Sequence, residues 1–301
     1  MQAFFFDDNI TIYDNKMEKL KIAIQKSGRL SEKSLDIITE TGISLSNGSR
    51  KLISLSSNFP LEILYLRDDD IPQYIADGVA DAGIVGENVL AESGAGLEIL
   101  ERLGFARCRL SLAVNKSQDY SDPGYFEGKR IATSFPGILK KWLDESNIKA
   151  EIHVINGSVE IATGIGLADA IFDIVSSGST LLSNGLKEVE KVMDSEAVLL
   201  TTPGMTGGKR EIMDEFLFRL RAVLASRNNK YILLNAPDDN LEKIISAIPG
   251  MKSPTVLPLA LKGWSSVHSV VNENDFWQVI GKLREYGAEG ILVIPIEKMI
   301  V

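Results

Sequence analysis

One stretch narrows the fold of this chain more than any other. Residues 160–185 read EIATGIGLADAIFDIVSSGSTLLSNG. The apolar run Ala170-Ile171-Phe172, continued by Ile174-Val175, has strand length; it ends in Ser176-Ser177-Gly178-Ser179-Thr180, and Leu181-Leu182 open a helix. A buried strand that turns through Gly and Ser into a helix is the unit of a parallel α/β sheet. Such a turn can aim several backbone N–H groups at one phosphate. It can equally be an ordinary strand-to-helix connection. Asp169 and Asp173 flank the apolar run, and their even spacing puts both on one face of a strand. Acids just ahead of such a turn can hold sugar hydroxyls or a magnesium ion. Asp169 also reads as a plain loop acid. Asp173, inside the apolar run, is harder to explain without a function, because an unpaired buried carboxylate is costly. The combination points to a phosphorylated sugar.

The same alternation runs through most of the chain. Strands are predicted over 20–25, 52–57, 62–67, 81–86 and 108–115, with helices over 31–41 and from 71 onward. The polar, Pro- and Gly-containing segment 116–128 is the expected crossover between two lobes. Beyond it, strands over 130–135, 150–155 and 170–177 alternate with helices over 137–147, 157–166 and 179–185. A strand over 196–203 is expected to return to the first lobe, followed by a long amphipathic helix over 208–229. From 230 the pattern changes to βαββαβ, the ferredoxin-like order. The expected domains are lobe 1 over 17–115 with the return segment 196–229, lobe 2 over 116–195, and a third domain over 230–301. Residues 1–16 read as an N-terminal extension. One internal echo favours two similar lobes: Asp81, Gly86 and Leu90 repeat the spacing of Asp173, Gly178 and Leu182.

Composition removes several function classes. The formal net charge of −9 over 301 residues makes general binding to nucleic acid or an anionic membrane a poor reading. Cys108 is the only cysteine, so no intrachain disulfide can form, and a cytoplasmic, reducing setting is expected. With only His153 and His268, neither a zinc site nor a Ser-His-Asp triad is expected. No apolar run reaches membrane-spanning length, and Phe4-Phe5-Phe6 is too short for a signal core. Other candidates sit at predicted strand ends. Lys26 and Arg29, around Ser27-Gly28, suit a triphosphate or pyrophosphate, or form a solvated turn. Asp70 closes an acidic run that can contact a ribose or simply start a helix, and Glu87 can read a base. Thr133-Ser134 and Asn156-Gly157-Ser158 can line a cleft.

From about residue 20 to the C-terminus the chain resembles the long-form ATP phosphoribosyltransferase family. The resemblance is carried by IAIQKSGRLS (22–31), RDDDIP (67–72), GIVGENVL (83–90), CRLSLA (108–113), GKRIATSFP (128–136), NGSVE (156–160), GLADAIFDIVSSGSTL (166–181), SPTVLPL (253–259) and ILVIPIEKM (291–299). Glu160, Gly166, Ala168, Asp173, Ser177, Gly178 and Thr180 fill the family signature. The resemblance implies a two-lobed core like type II periplasmic binding proteins, followed by a ferredoxin-like regulatory domain that binds histidine. It implies a glycosyltransferase that opens histidine biosynthesis. ATP is joined through adenine N1 to phosphoribosyl pyrophosphate, magnesium is required, and pyrophosphate is released. It further implies feedback inhibition by histidine, a homo-oligomer shifting between dimers and hexamers, and no separate regulatory subunit.

For the site, the resemblance implies that Ser176, Ser177, Gly178, Ser179 and Thr180 hold the 5-phosphate, with Glu160, Asp169 and Asp173 toward the ribose. Lys26 and Arg29 would meet ATP phosphates or pyrophosphate, with Asp70 and Glu87 nearer the nucleotide. Lys26, Arg29, Asp169 and Asp173 are the expected catalytic residues, and the metal's protein ligands are not specified. Asn235, Thr255 and Ala288 fall where the family builds its histidine pocket. A different class stays open beside it, a two-lobed small-molecule binding protein with no catalysis.

Overall fold

The structure, a computed structural model, describes residues 18–46, 52–248, 250 and 253–300. The expected extension over 1–16 lies outside the described residues. The chain divides into two compact units, Met1–Thr39 with Ile43–Met213, and Glu40–Gly42 with Asp214–Val301.

The first unit contains two sheets. The elements of the first are β1 (Leu20–Gln25), α1 (Arg29–Glu40), β2 (Ile53–Leu55), β3 (Leu61–Leu66), α2 (Ile71–Ala76), β4 (Ala82–Gly86), α3 (Glu87–Ser93) and β5 (Glu98–Arg102). The chain then enters the second sheet with β6 (Cys108–Asn115), β7 (Arg130–Thr133), α4 (Pro136–Glu145), β8 (Glu151–Val154), β9 (Ala170–Val175), α5 (Ser179–Ser183) and β10 (Leu186–Ser195). It returns through β11 (Ala197–Thr201) and runs into α6 (Gly208–Ser226). The first sheet has the order β2-β3-β1-β4-β11-β5 and the second β10-β6-β9-β7-β8. β1 is parallel to β3 and β4, and β7 is parallel to β8 and β9. In each sheet the strand entering from the other lobe, β11 or β6, runs antiparallel beside the last parallel strand. The two lobes therefore share one plan, joined by two crossings, as the resemblance implies.

Local chemistry explains the elements. Leu20, Ile22, Ala23 and Ile24 of β1 are wholly buried, as expected for a central parallel strand. In β4, Gly83 is a glycine because Ile71 and Ile75 of α2 pack onto the strand there. A Cβ at position 83 would stand 2.5 Å from Ile71 Cγ2. Phe172 of β9 is buried completely among Leu112, Ile131, Leu139 and Phe126.

Several expectations are corrected. β6 was expected to close lobe 1, but it pairs with β9 and β10, so the crossing falls over 103–107 and lobe 1 ends before Cys108. The segment 116–128 stays with lobe 2, where Tyr120, Tyr125 and Phe126 pack on its core. Its polarity reflects exposure and says nothing about which sheet the flanking strands join. The helix expected over 157–166 is a single turn, Val159–Ile161. Gly157, Gly164 and Gly166 penalise helix there, and Gly157 and Gly166 take φ of 83° and 74°. β5 and β10 were not expected, since the alternating Lys and Glu of β10 hide a half-exposed strand. Finally, the echo is offset by four residues. The lobe-2 counterpart of Asp81 is Asp169, not Asp173. Each precedes a parallel strand and accepts a backbone N–H from the start of its neighbour, Lys21 N at 2.8 Å for Asp81 and Arg130 N at 2.9 Å for Asp169.

The second unit carries β12 (Asn229–Pro237), α7 (Leu241–Ala247), β13 (Thr255–Pro258), β14 (Trp264–Asn272), α8 (Glu273–Glu285) and β15 (Glu289–Pro295). Its sheet is antiparallel in the order β13-β14-β12-β15, which with the βαββαβ sequence is the ferredoxin-like arrangement. Ile232, Leu234, Ile244, Val267, Phe276 and Leu283 form its core.

Candidate active site

In a parallel sheet the carboxyl ends of the strands share one edge, where α/β proteins bind ligands. β1, β3 and β4 end at Gln25, Leu66 and Gly86, which gathers residues 26–29 and 67–70 on one edge. β7, β8 and β9 end at Thr133, Val154 and Val175, which gathers Ser134, residues 156–158 and the 176–180 turn on another. The two edges face each other across a cavity of about 530 Å³. Arg67, Asp68, Asp69 and Glu92 line it from lobe 1, and Ser134, Phe135, Asn156 and Gly157 from lobe 2.

The 176–180 turn is open to solvent. Gly178 has φ of 78° and stands at the N-cap of α5, a conformation that a side chain would strain. The Ser177 and Ser179 hydroxyls lie 2.9 Å apart. Beneath the turn is a brace that sequence reasoning missed. Arg109 of β6 lies opposite Val175 and donates to the Ser176 carbonyl at 3.1 Å. Its guanidinium is held by Glu188 of β10, which also accepts from Ser111 Oγ at 2.7 Å. The Arg109 hydrogen bond holds the Glu188 carboxyl below its ordinary range. The only sequence signal was the Arg inside CRLSLA, and nothing local to β10 points to its partner.

Asp173 stands three residues before the turn, half-buried, with Ile174 N donating to its carboxylate at 2.7 Å. Burial raises its pKa above the ordinary aspartate value, and the nearby Glu160 carboxylate adds to the rise. The fold therefore brings Glu160, Asp173 and the turn into one neighbourhood. Ser158, two residues ahead of Glu160, takes a left-handed φ of 51°, uncommon for a non-glycine residue. Lys26 and Arg29 are exposed and, among the described residues, form no ion pair. Asp70 is exposed on the same edge, and burial beside Asp68 raises the pKa of Asp69.

Two candidates are placed elsewhere. Asp169 sits at the opposite end of β9 from the turn. The intervening six-residue strand spans about 20 Å to the turn, and Asp169 lies four residues, about 13 Å of extended chain, from Asp173. Its carboxylate is clamped by the guanidinium and N–H of Arg130, which holds its pKa below the ordinary value. Glu87 is likewise engaged, in a two-pronged ion pair with Arg102 whose second arm measures 2.7 Å. It lines a separate cavity of about 430 Å³ at the crossings, with Arg107, Cys108 and Glu196. In the second unit, Asn235 lies opposite Ser266, and Thr255 opposite His268, so both point to one face of the sheet. Ala288 is buried in that unit's core.

A two-lobed α/β core with an exposed Gly/Ser turn on one lip and exposed cations on the other is the class that this geometry defines. Sequence comparison narrows it. The family profile described as ATP phosphoribosyltransferase matches residues 67–222, and that of the HisG C-terminal domain matches residues 226–298. ATP phosphoribosyltransferases of Phocaeicola vulgatus and Bacteroides fragilis are each 59% identical over 282 residues, covering 94% of this chain and all of theirs. The chain is also similar to the solved ATP phosphoribosyl transferase (HisG:HisZ) complex from Thermotoga maritima, at 30% identity and a TM-score of 0.61, covering 68% of this chain and 98% of that one. This chain belongs to the ATP phosphoribosyltransferase family, in its long form with the C-terminal domain. No helix among the described residues is long and apolar enough to cross a membrane.

Proposed function

We propose that the 176–180 turn takes the 5-phosphate of phosphoribosyl pyrophosphate and that Asp173 with Glu160 faces its ribose hydroxyls. Lys26 and Arg29 on the opposite lip meet the pyrophosphate or the ATP phosphates, with Asp70 toward the nucleotide. The family's reaction, the first step of histidine biosynthesis, fits such a site. The lone pair of adenine N1 forms a bond to C1 of the ribose. The C1–O bond breaks, and its electron pair leaves with pyrophosphate. No side chain has to act as nucleophile. The protein's task is to hold N1, C1 and the leaving oxygen in line and to stabilise charge around an oxocarbenium-like carbon. The observation that carries this reading is the half-buried Asp173 beside an exposed, braced turn. Burying a carboxylate without an ion pair costs free energy that a ribose hydroxyl can offset.

Among the described residues no group of three or more His, Cys, Asp or Glu stands ready to hold a metal. Magnesium is commonly bound through substrate phosphates and only one or two carboxylates. Asp173 and Glu160 are the carboxylates that would hold it here. When bound, magnesium neutralises charge on the leaving pyrophosphate. Histidine acts as feedback inhibitor through the C-terminal unit, with Asn235 and Thr255 on one sheet face as its contacts and Ala288 in the packing behind. The chain works as a homo-oligomer between dimer and hexamer, in the cytoplasm, without a separate regulatory subunit.

The test is product formation from ATP and phosphoribosyl pyrophosphate with magnesium, followed by absorbance. Steady turnover is expected. Substrate binding without turnover would instead make the chain a two-lobed binding protein. Asp173→Ala and Thr180→Ala are expected to raise the KM for phosphoribosyl pyrophosphate or abolish turnover in folded protein. Wild-type kinetics in both variants would remove the turn from the site.

A further inference from the structure

Helix α4 begins without a cap of its own. Phe135 stands at its N-cap and makes no side-chain hydrogen bond, and Pro136 follows. The N–H groups of Gly137 and Ile138 are among those that a helix start leaves unpaired. Both are met from the other lobe. Glu92 of α3 accepts from Gly137 N at 2.8 Å through one oxygen and from Ile138 N at 2.9 Å through the other. A carboxylate seated on two amides at the positive end of a helix dipole is a charge-assisted, directional contact. Position 137 is shaped for it. A Cβ there would stand 3.1 Å from Glu92 Oε1 and 3.3 Å from its Cδ, so glycine clears the seat.

The contact lies where it can matter to the reaction. α3 leaves the carboxyl end of β4, and α4 follows the carboxyl end of β7. Glu92 and Phe135 both line the cavity between the two edges. Covalently, the lobes are joined only by the crossings over 103–107 and 195–197. We infer that Glu92 is a positioning residue, a latch that fixes the width of the cleft and keeps C1, held by lobe 2, in line with the nucleotide on lobe 1. It acts through α4 and touches no reacting atom.

Two variants of the full chain separate this from a local capping role. Glu92→Ala removes the carboxylate. Gly137→Ala keeps it and improves helix propensity, but its methyl crowds the Glu92 carboxylate, which must shift by a few tenths of an ångström. For Glu92→Ala, kcat is expected to fall about tenfold, while the KM for phosphoribosyl pyrophosphate stays within about twofold, because its 5-phosphate and ribose are held within lobe 2. Hydrogen exchange at the Gly137 and Ile138 amides is expected to speed up about tenfold or more. Gly137→Ala should lower kcat severalfold without lowering the unfolding temperature. The KM arm rests on the assignment of phosphoribosyl pyrophosphate to lobe 2, whereas the exchange arm does not. A failed assignment would therefore show in the Asp173 and Thr180 variants and leave the exchange result intact. Faster exchange with kcat unchanged in both variants would make Glu92 a cap and nothing more. Unchanged exchange would remove the contact from solution. A raised KM with wild-type kcat would put Glu92 in the substrate site itself. Each of these results overturns the latch.

Discussion

Replacing Arg109 by Met tests whether the phosphate turn is braced from beneath. Met keeps an apolar stem but loses the bond to the Ser176 carbonyl and the ion pair with Glu188. Hydrogen bonds to charged groups contribute roughly 1.5–3 kcal/mol each when well shielded. Here the two side chains are 32% and 26% exposed, so screening lowers the figure. A loss of about 1–2 kcal/mol in stability is expected after that discount. The bond to Ser176 accounts for about 1 kcal/mol of order in the turn, equivalent to about a fivefold rise in the KM for phosphoribosyl pyrophosphate. The KM for ATP should not move. The sign of the pH dependence follows from Glu188. Its folded pKa is depressed, so its contribution is present above the ordinary glutamate value and is lost as pH falls through the depressed value. The stability gap between wild type and variant should therefore narrow in acid. Steady-state kinetics with each substrate varied, and urea unfolding at neutral and acid pH, measure both effects. An unchanged KM for phosphoribosyl pyrophosphate, or a rise only for ATP, would refute the brace.

Four further outcomes are expected. Phe172→Ala removes a fully buried ring and should cost about 3–5 kcal/mol; a urea-derived loss below about 1 kcal/mol would contradict that packing. Asp173→Asn should abolish or cripple turnover yet leave the protein as stable or more stable at neutral pH. The raised folded pKa of Asp173 means that its charge opposes folding above that pKa and not below the ordinary value; a marked drop in unfolding temperature at neutral pH would show instead that the charge is structural. Asp169→Asn should lower stability only slightly, because the pair with Arg130 is 41% and 36% exposed; a severalfold KM change for phosphoribosyl pyrophosphate would return Asp169 to the ribose. A chain ending at Asn228 should keep turnover and lose inhibition by histidine, and persistent inhibition would place the effector in the first unit.

Much of this molecule is written in local pattern. The continuous apolar runs of β1 and β9, the Gly-Ser-Thr turn after Val175, and the βαββαβ order beyond Asn229 can each be read within a window of a few residues. That is the range over which periodicity and glycine conformation act. The same holds for the site's main parts, since Glu160, Asp173 and the 176–180 turn lie within about two dozen residues of sequence. Tertiary structure alone decided which sheet β6 joins and what the charged residues face. Arg130 meets Asp169 across 39 residues, Gly137 meets Glu92 across 45, and Arg109 meets Ser176 across 67. A charge looks alike in sequence whether it ends in solvent, against substrate or on another strand. Only chain closure brings its partner within a few ångströms, as it brings the Arg130 guanidinium to Asp169.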